Sequence, residues 1–179
     1  MIRDFQKIDD DIIRTKRSIS EMLYSDPDIL EILNNPKLNP EEPDTYIDVN
    51  IFDYIRLPGT ITDVMNYICF DVKQERLSYT NDHMKSQLYF FYVFCHADDI
   101  KTPYGASRHD LLAYLIRDLF NYTDRFGTQL VLKSNEPGIA ENYYSSRILT
   151  FKEITPNSLN NAVKTNKYEL YKLFEDLLR

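Results

Sequence analysis

Two cysteines are the residues most able to bind a metal or act as nucleophiles. Cys95 precedes His96 directly, and Cys69 and His109 would complete a four-ligand set. Tetrahedral zinc needs four ligands at convergent spacing, and no ligand spacing in this chain matches. Both cysteines lie in apolar stretches, where a free cysteine usually packs as a small hydrophobic side chain. We therefore expect neither a zinc site nor a Cys–His nucleophile, because a reactive thiol needs an accessible, electropositive setting.

Asp44, Asp71 and Lys73 resemble the scattered motif of restriction-type nucleases. In that motif two carboxylates hold Mg²⁺, and a lysine orients the water or stabilises charge. Residues two apart in a strand share a face, so Asp71 and Lys73 would lie side by side. The motif is degenerate, since any Asp-x-Lys at a strand end fits it. A metal-dependent nuclease is therefore kept as an alternative function.

The acidic pairs and runs have a simpler interpretation. Asp98-Asp99 directly follow a strongly apolar stretch, at a position that suits functional carboxylates but equally suits turn capping. Asp9-Asp10-Asp11 are interpreted as the solvent face of a first helix. The sequence contains no glycine-rich phosphate loop, no Gly-x-Ser-x-Gly and no His-Glu-x-x-His. We expect no catalytic residues, no bound metal and no cofactor, and hence no enzyme.

The composition is that of a globular protein, and we treat residues 1–179 as a single domain. Hydrophobic residues make up 43% and charged residues 27% of the 179 residues. The net charge of -7 argues against a broad basic surface that grips nucleic acid, although it suits a surface past which DNA slides without sticking. The absence of a signal peptide and of a long apolar run predicts no secretion and no membrane span.

Hydrophobic periodicity predicts the elements that position these residues. Residues 1–35 are predicted to hold two helices, with Asp26 as N-cap and Pro27 at the first position of the second. A proline-rich irregular connection (36–44) leads to a sheet-and-helix core at residues 45–156. The core is predicted to contain an extended segment at 46–57, strands at 64–75 and 87–97 joined by a polar return, a helix at 107–122, a strand at 127–133, a turn at 135–138 and a strand at 143–154.

These elements predict an α+β fold with a mainly antiparallel sheet covered by helices. The run Leu88–Cys95 is unbroken, apolar and rich in aromatics, which is typical of a central strand covered on both faces. Residues 157–179 form a polar linker and a C-terminal helix with apolar residues at i, i+3, i+4, i+7 and i+8 from Leu170. That helix either folds back on its own sheet or acts as an arm that docks on a neighbouring subunit.

Residues 86–120 combine the aromatic strand, the acidic turn Asp98-Asp99, a loop with Tyr104-Gly105 and a helix that begins near Arg108. This stretch resembles virion proteins of tailed bacteriophages. It is similar to the strand–loop–helix of small tail-terminator and head–tail joining proteins of the phage neck. The similarity in pattern extends over most of residues 45–157.

The resemblance implies a structural protein of the virion that is assembled in the host cytoplasm. Such a subunit forms a homo-oligomeric ring, a hexamer or higher, which terminates the tail tube and joins it to the head connector. DNA passes through the ring without specific binding, and no catalytic residue is implied. A monomeric adaptor that binds one protein partner is kept as a further alternative.

The candidate interface residues are acidic, aromatic and apolar side chains near the loop after the central strand and in the last helix. Tyrosine is favoured there because it offers contact area together with one polar group. The set consists of Asp98, Asp99, Tyr104, Arg108, Tyr143, Tyr144, Tyr168, Leu170, Tyr171, Leu173, Phe174 and Leu177.

Overall fold

The computed structural model describes residues 10–57, 64–78, 81–138 and 143–156. Within these ranges, three α-helices pack on one five-stranded sheet, which confirms the predicted α+β fold. In chain order the elements are α1 (Asp11–Tyr24), α2 (Pro27–Leu33), β1 (Ile51–Phe52), β2 (Tyr67–Ser78), β3 (Asn81–His96), α3 (Arg108–Phe120), β4 (Val131–Gly138) and β5 (Tyr144–Pro156). Short 3-10 helices lie at Pro43–Tyr46 and Ala97–Asp99.

The strand order is β1-β2-β3-β5-β4, so β3 lies at the centre, as the aromatic run predicts. Only β1 pairs in parallel, with β2, and the other three pairings are antiparallel. On β3, Phe91 lies opposite Phe70 of β2 and Leu149 of β5. The mainly antiparallel sheet is therefore confirmed.

The first two helices begin as their cap residues dictate. Asp26 accepts hydrogen bonds from the backbone of Asp28 and Ile29, Pro27 is the first helical residue, and α2 ends at Asn34 in the left-handed conformation. Of the three consecutive aspartates predicted to form a solvated helix face, Asp9 lies outside the described residues, and the other two have specific roles. Asp10 is the N-cap of α1, and its neighbour Asp11 forms an ion pair with Lys85 of β3 at 2.5 Å.

One face of the sheet carries the main core, against which all three described helices pack. Alternate residues of the two central strands point to this face because side chains alternate along a strand. α3 adds an apolar stripe at helical spacing. The principal members are Ile19, Leu23, Ile29, Leu33, Phe70, Tyr89, Phe91, Leu112, Ile116, Phe120, Leu149 and Phe151.

The other face carries a smaller aromatic cluster at one end of the sheet. It is built from strand residues and contains no residue of a described helix. Tyr67 stacks on Phe94 with ring centroids 5.0 Å apart and meets Tyr144 edge-on. Among the described residues, helices cover β3 on one face, and the aromatic cluster covers it on the other face near Tyr92 and Phe94.

The prediction of a turn at 135–138 is wrong, because these residues belong to β4 and pair with β5 from Asn135↔Leu149 to Gly138↔Ser146. Pro137 is tolerated because β4 is an edge strand, which needs hydrogen bonds on one side only. Gly138 approaches β5 so closely that a Cβ there would collide with the Ser146 side chain. Pro137 and Gly138, although typical of turns, therefore occur here because Pro137 is compatible with an edge strand and Gly138 allows close packing against β5.

Other predicted elements differ from the observed ones in where they begin and end. The predicted polar return around Ser78–Lys85 is mostly strand, since β2 runs to Ser78 and β3 starts at Asn81. The extended segment at 46–57 reduces to the two residues of β1. The predicted C-terminal helix, with Tyr168, Leu170, Tyr171, Leu173, Phe174 and Leu177, lies outside the described residues. Among the residues that the structure describes, no helix is long and apolar enough to cross a membrane.

Candidate functional site

The loop between β3 and α3 lies at one end of the sheet and contains three of the six predicted interface residues inside the described ranges, namely Asp98, Asp99 and Tyr104. β3 ends at His96, and α3 starts at Arg108 with Ser107 as its N-cap. Gly105 takes the positive φ of +78° that the turn after Tyr104 requires. The C-terminal end of α2 and the start of β5 lie beside the loop, through Asn34–Asp99 and Tyr143–Ala97 hydrogen bonds.

Arg108 holds this loop in place through hydrogen bonds of its buried side chain. Its side chain is only 6% exposed, and its Nη1 donates to the carbonyl of Ile32 at 2.6 Å. Its Nε donates to the Asp99 carbonyl at 2.7 Å, and its Nη2 donates to Asp99 Oδ1 at 2.8 Å. A buried guanidinium is stable only when its donors are paired, and here a carboxylate and two carbonyls pair them. The start of α3 is thereby tied to the end of α2.

Asn66 completes the same network. Its Nδ2 donates to Asp99 Oδ2 at 2.6 Å and to the Leu33 carbonyl at 3.1 Å, while its Oδ1 accepts from His96 N. Asn66 is buried, and the sequence analysis missed it. Its role was indicated by its position, because Asn66 is a polar residue directly before the apolar run of β2. A buried amide at such a position must find hydrogen-bond partners.

Three side chains project from this fixed frame into solvent. Tyr143 is 79% exposed, Tyr104 is 60% exposed, and the Asp98 side chain is 78% exposed. Tyr143 has a left-handed φ of 67°, which is uncommon for a tyrosine, and its carbonyl accepts from Ala97 N at 2.7 Å. Its ring stacks on His96 with centroids 6.3 Å apart.

Tyr104 is oriented by α2. Its hydroxyl donates a hydrogen bond to Glu31, and that bond to a carboxylate raises the pKa of the Tyr104 phenol. The ring itself stays exposed. Tyr104, Tyr143 and Asp98 are therefore three accessible groups on one end of the molecule, and we call them the loop surface.

The remaining predicted interface residues of the described ranges lie inside the subunit. Asp99 is engaged by Arg108, Asn66 and Asn34, so its carboxylate holds the loop. Arg108 and Tyr144 are buried, the latter in the aromatic cluster. The side chains of Arg108 and Tyr144 do not reach the outside, so these residues can only position the loop surface.

The cysteines cannot share a zinc site, because they lie on opposite faces of the sheet. Cys69 belongs to the aromatic cluster and Cys95 to the helix-covered core. Burial raises the pKa of the Cys69 thiol to about 11 and also raises that of Cys95. Burial lowers the pKa of His109, so its imidazole is held neutral. In the described ranges, no three or more His, Cys, Asp or Glu side chains are placed to hold a metal.

The three residues of the nuclease motif lie in two different elements. Asp71 and Lys73 do share a face of β2, opposite Phe90 and Leu88 respectively. Each has a partner of its own, however: Asp71 pairs with Lys16 at 2.7 Å, and Lys73 pairs with Glu75 at 2.5 Å. Asp44 lies in the 3-10 helix before β1.

A second buried polar group lies at the opposite end of the sheet and was not predicted. Glu153 of β5 is 1% exposed and accepts hydrogen bonds from the Tyr89 hydroxyl at 2.6 Å and from the backbone of Thr128. Burial and this bond raise the pKa of the Tyr89 phenol. These contacts fix the loop before β4 and leave no open site, so their role is structural.

The sequence profile of one protein family, described as YomW, matches residues 26–153. The match runs from the N-cap of α2 to Glu153 of β5 and includes the whole loop surface with its supporting network. No curated protein matches the sequence.

Proposed function

The chain belongs to the YomW family, whose gene name is of the phage-derived, SPbeta type, and from this association with phage we propose that it is a structural subunit of a tailed-phage neck. In this proposal several copies, six or more, form a ring that terminates the tail tube and joins it to the head connector. The subunit acts by assembly and carries out no reaction. It is assembled in the host cytoplasm and remains in the virion.

The feature that most supports assembly is the loop surface. Tyr104 and Tyr143 are highly exposed, yet they project from backbone that the Asp99–Arg108–Asn66 network holds in place. Exposed aromatic side chains on preordered backbone are typical of protein interfaces, because they bury a large area and lose little conformational entropy on binding. A rigid acidic and aromatic edge is what a subunit needs to contact the next copy around a ring.

The charge of the chain supports the passage of DNA. The net charge of each chain is -7. A ring of six acidic copies repels the phosphate backbone, so DNA would pass through without being held. A broad basic surface would instead bind it.

Replacing Tyr143 with alanine tests the loop surface as the ring contact. We expect self-association to weaken by about 30-fold, or ~2 kcal/mol per contact, which is the usual effect of removing a tyrosine at an interface hot spot. The measurement is mass photometry or sedimentation of the full-length protein over a concentration series. Tyr114→Ala is the matched control, since Tyr114 is a half-exposed tyrosine on α3, outside the loop surface.

Unchanged assembly of Tyr143→Ala would remove the loop surface from the ring contact. If the wild-type chain instead remains monomeric and forms a one-to-one complex with a single partner, the adaptor alternative replaces the ring. Circular dichroism of each variant shows whether the fold is retained.

A further inference from the structure

The second face of the sheet carries an apolar row that continues from the aromatic cluster, against which its member Tyr92 packs. Side chains of Leu88, Phe90 and Tyr92 on β3 alternate with the core residues and are partly buried. Ile148 of β5 lies opposite Tyr92 and extends the row sideways. None of these residues contacts a described helix as part of the main core. We call these four residues the open row.

We propose that residues 168–178 of the same chain form an amphipathic helix that packs on the open row. The sequence of this segment places five apolar residues on one stripe: Leu170, Leu173, Phe174, Leu177 and Leu178. Lys172 falls on the opposite side, and Glu175 and Asp176 lie at the two edges of the stripe. The proposal goes beyond the neck function and holds whether or not the chain forms a ring.

The position at which β5 ends favours this occupant. β5 finishes at Pro156, which lies opposite Met84 on β3, so the chain leaves the sheet beside the strand that carries the open row. Residues 157–167 can span up to ~36 Å when extended. The stretch from Leu88 to Tyr92 is ~13 Å long, and an eleven-residue helix is ~16 Å long. The segment therefore reaches the row and matches its length.

Charge and proximity also favour the chain's own segment. Lys73 and Lys152 flank Leu88 in register, and the segment carries Glu175 and Asp176 next to its apolar stripe. A tether of eleven residues keeps the segment at an effective concentration in the millimolar range near its own sheet. The segment of a second copy would have to compete with this effective concentration for the open row. We therefore assign the open row to the segment of the same chain.

Engineered cysteine pairs in the full-length chain test this packing. Phe90→Cys is combined in turn with Leu170→Cys, Leu173→Cys or Leu177→Cys, and each protein is oxidised mildly. A disulfide forms only when the two Cα atoms come within about 7 Å. We expect at least one pair to close a disulfide within the chain, at monomer mass, about tenfold or more faster than the control pair Phe90→Cys with Lys172→Cys. The native Cys69 and Cys95 are buried and stay in place.

Two results would overturn the proposal. Disulfides found only between chains would mean that the segment packs on a neighbouring copy, and equal rates for Leu173 and Lys172 pairs would mean that no fixed packing exists. The ring is measured separately by its mass, so failure of the neck function and failure of this proposal are distinguishable.

A labelling experiment covers the case in which an oxidised pair fails to fold. The thiol of Phe90→Cys alone should react slowly with maleimide, and adding Leu173→Asp should speed the reaction about tenfold, since it removes the apolar stripe. Tyr168→Asp, on the polar side of the segment, should leave the rate unchanged. A labelling rate of Phe90→Cys that does not change when Leu173→Asp is added would contradict the proposal.

Discussion

Asp98 and Asp99 are neighbours in sequence with different roles in the structure. Asp99 accepts from the buried Arg108 and from Asn66, whereas the Asp98 side chain is largely in solvent. Both aspartates were predicted as interface residues, because nothing local distinguishes two consecutive aspartates. The distinction depends on contacts with residues 33 positions earlier and 9 positions later, which no pattern in the sequence shows.

Asp99→Ala should therefore destabilise the protein by about 2–3 kcal/mol, because it leaves the buried Arg108 guanidinium without its carboxylate. Urea unfolding followed by circular dichroism measures the change in the free energy of unfolding. Asp98→Ala is the control and should change it by no more than about 0.5 kcal/mol. Equal losses in the two variants would contradict the assigned role of Asp99.

The Cys69 thiol should make stability depend on alkaline pH. Burial raises its pKa from 9.0 to about 11, so between these values the unfolded chain loses this proton while the folded chain keeps it. The folded state then binds more protons, and its stability falls as pH rises. The loss from this one group reaches up to about 2–3 kcal/mol near pH 11.

Comparison with Cys69→Ala isolates that effect from other groups that titrate at alkaline pH. The difference in unfolding free energy between wild type and variant should be constant below pH 8.5 or so and should shrink as the pH rises towards about 11. If the two proteins lost stability in parallel over that range, the thiol would not be held protonated by burial.

At the scale of elements, α1 is anchored to the sheet by a largely buried ion pair. Lys85 of β3 is buried, and its Nζ lies 2.5 Å from Asp11 Oδ2 in the first turn of α1. Asp11→Ala should cost about 3 kcal/mol, because it leaves a buried ammonium without its partner. The double variant Asp11→Ala with Lys85→Met should recover most of that loss, since both charges are then gone.

A double-mutant cycle of thermal or urea unfolding measures this coupling. Asp28→Ala is the control, because Asp28 is an exposed aspartate in the first turn of α2 and should be nearly neutral. Additive losses for Asp11 and Lys85 would show that the pair does not anchor the helix.

The elements themselves were largely predictable, because their causes are local. Asp26-Pro27 fixes the start of α2, and the 3.6-residue periodicity identifies α1 and α3. The second half of β4, residues 135–138, was predicted as a turn because Asn, Pro and Gly favour turns locally, whereas its edge position and the close approach of β5 decide its conformation. The polar networks around Arg108 and Glu153 were not predictable, since they join elements distant in sequence.

At the scale of the whole molecule, the two faces of the sheet and its two ends have different structural roles. The helices cover one face, the loop surface occupies one end, and the Glu153 and Lys85 contacts stabilise the other. The α+β class followed from the order of the predicted elements. The aromatic run of β3 predicts that both faces of this strand are covered. We propose that the segment 168–178 provides this cover by packing on the open row.

The mass of the full-length protein in solution, followed over a concentration series and by negative-stain imaging, tests the neck proposal most directly. We predict a discrete closed oligomer of six or more copies, visible as a ring, whose mass does not change once it has formed. A protein that remains monomeric at every concentration, with no ring in the images, would contradict the account.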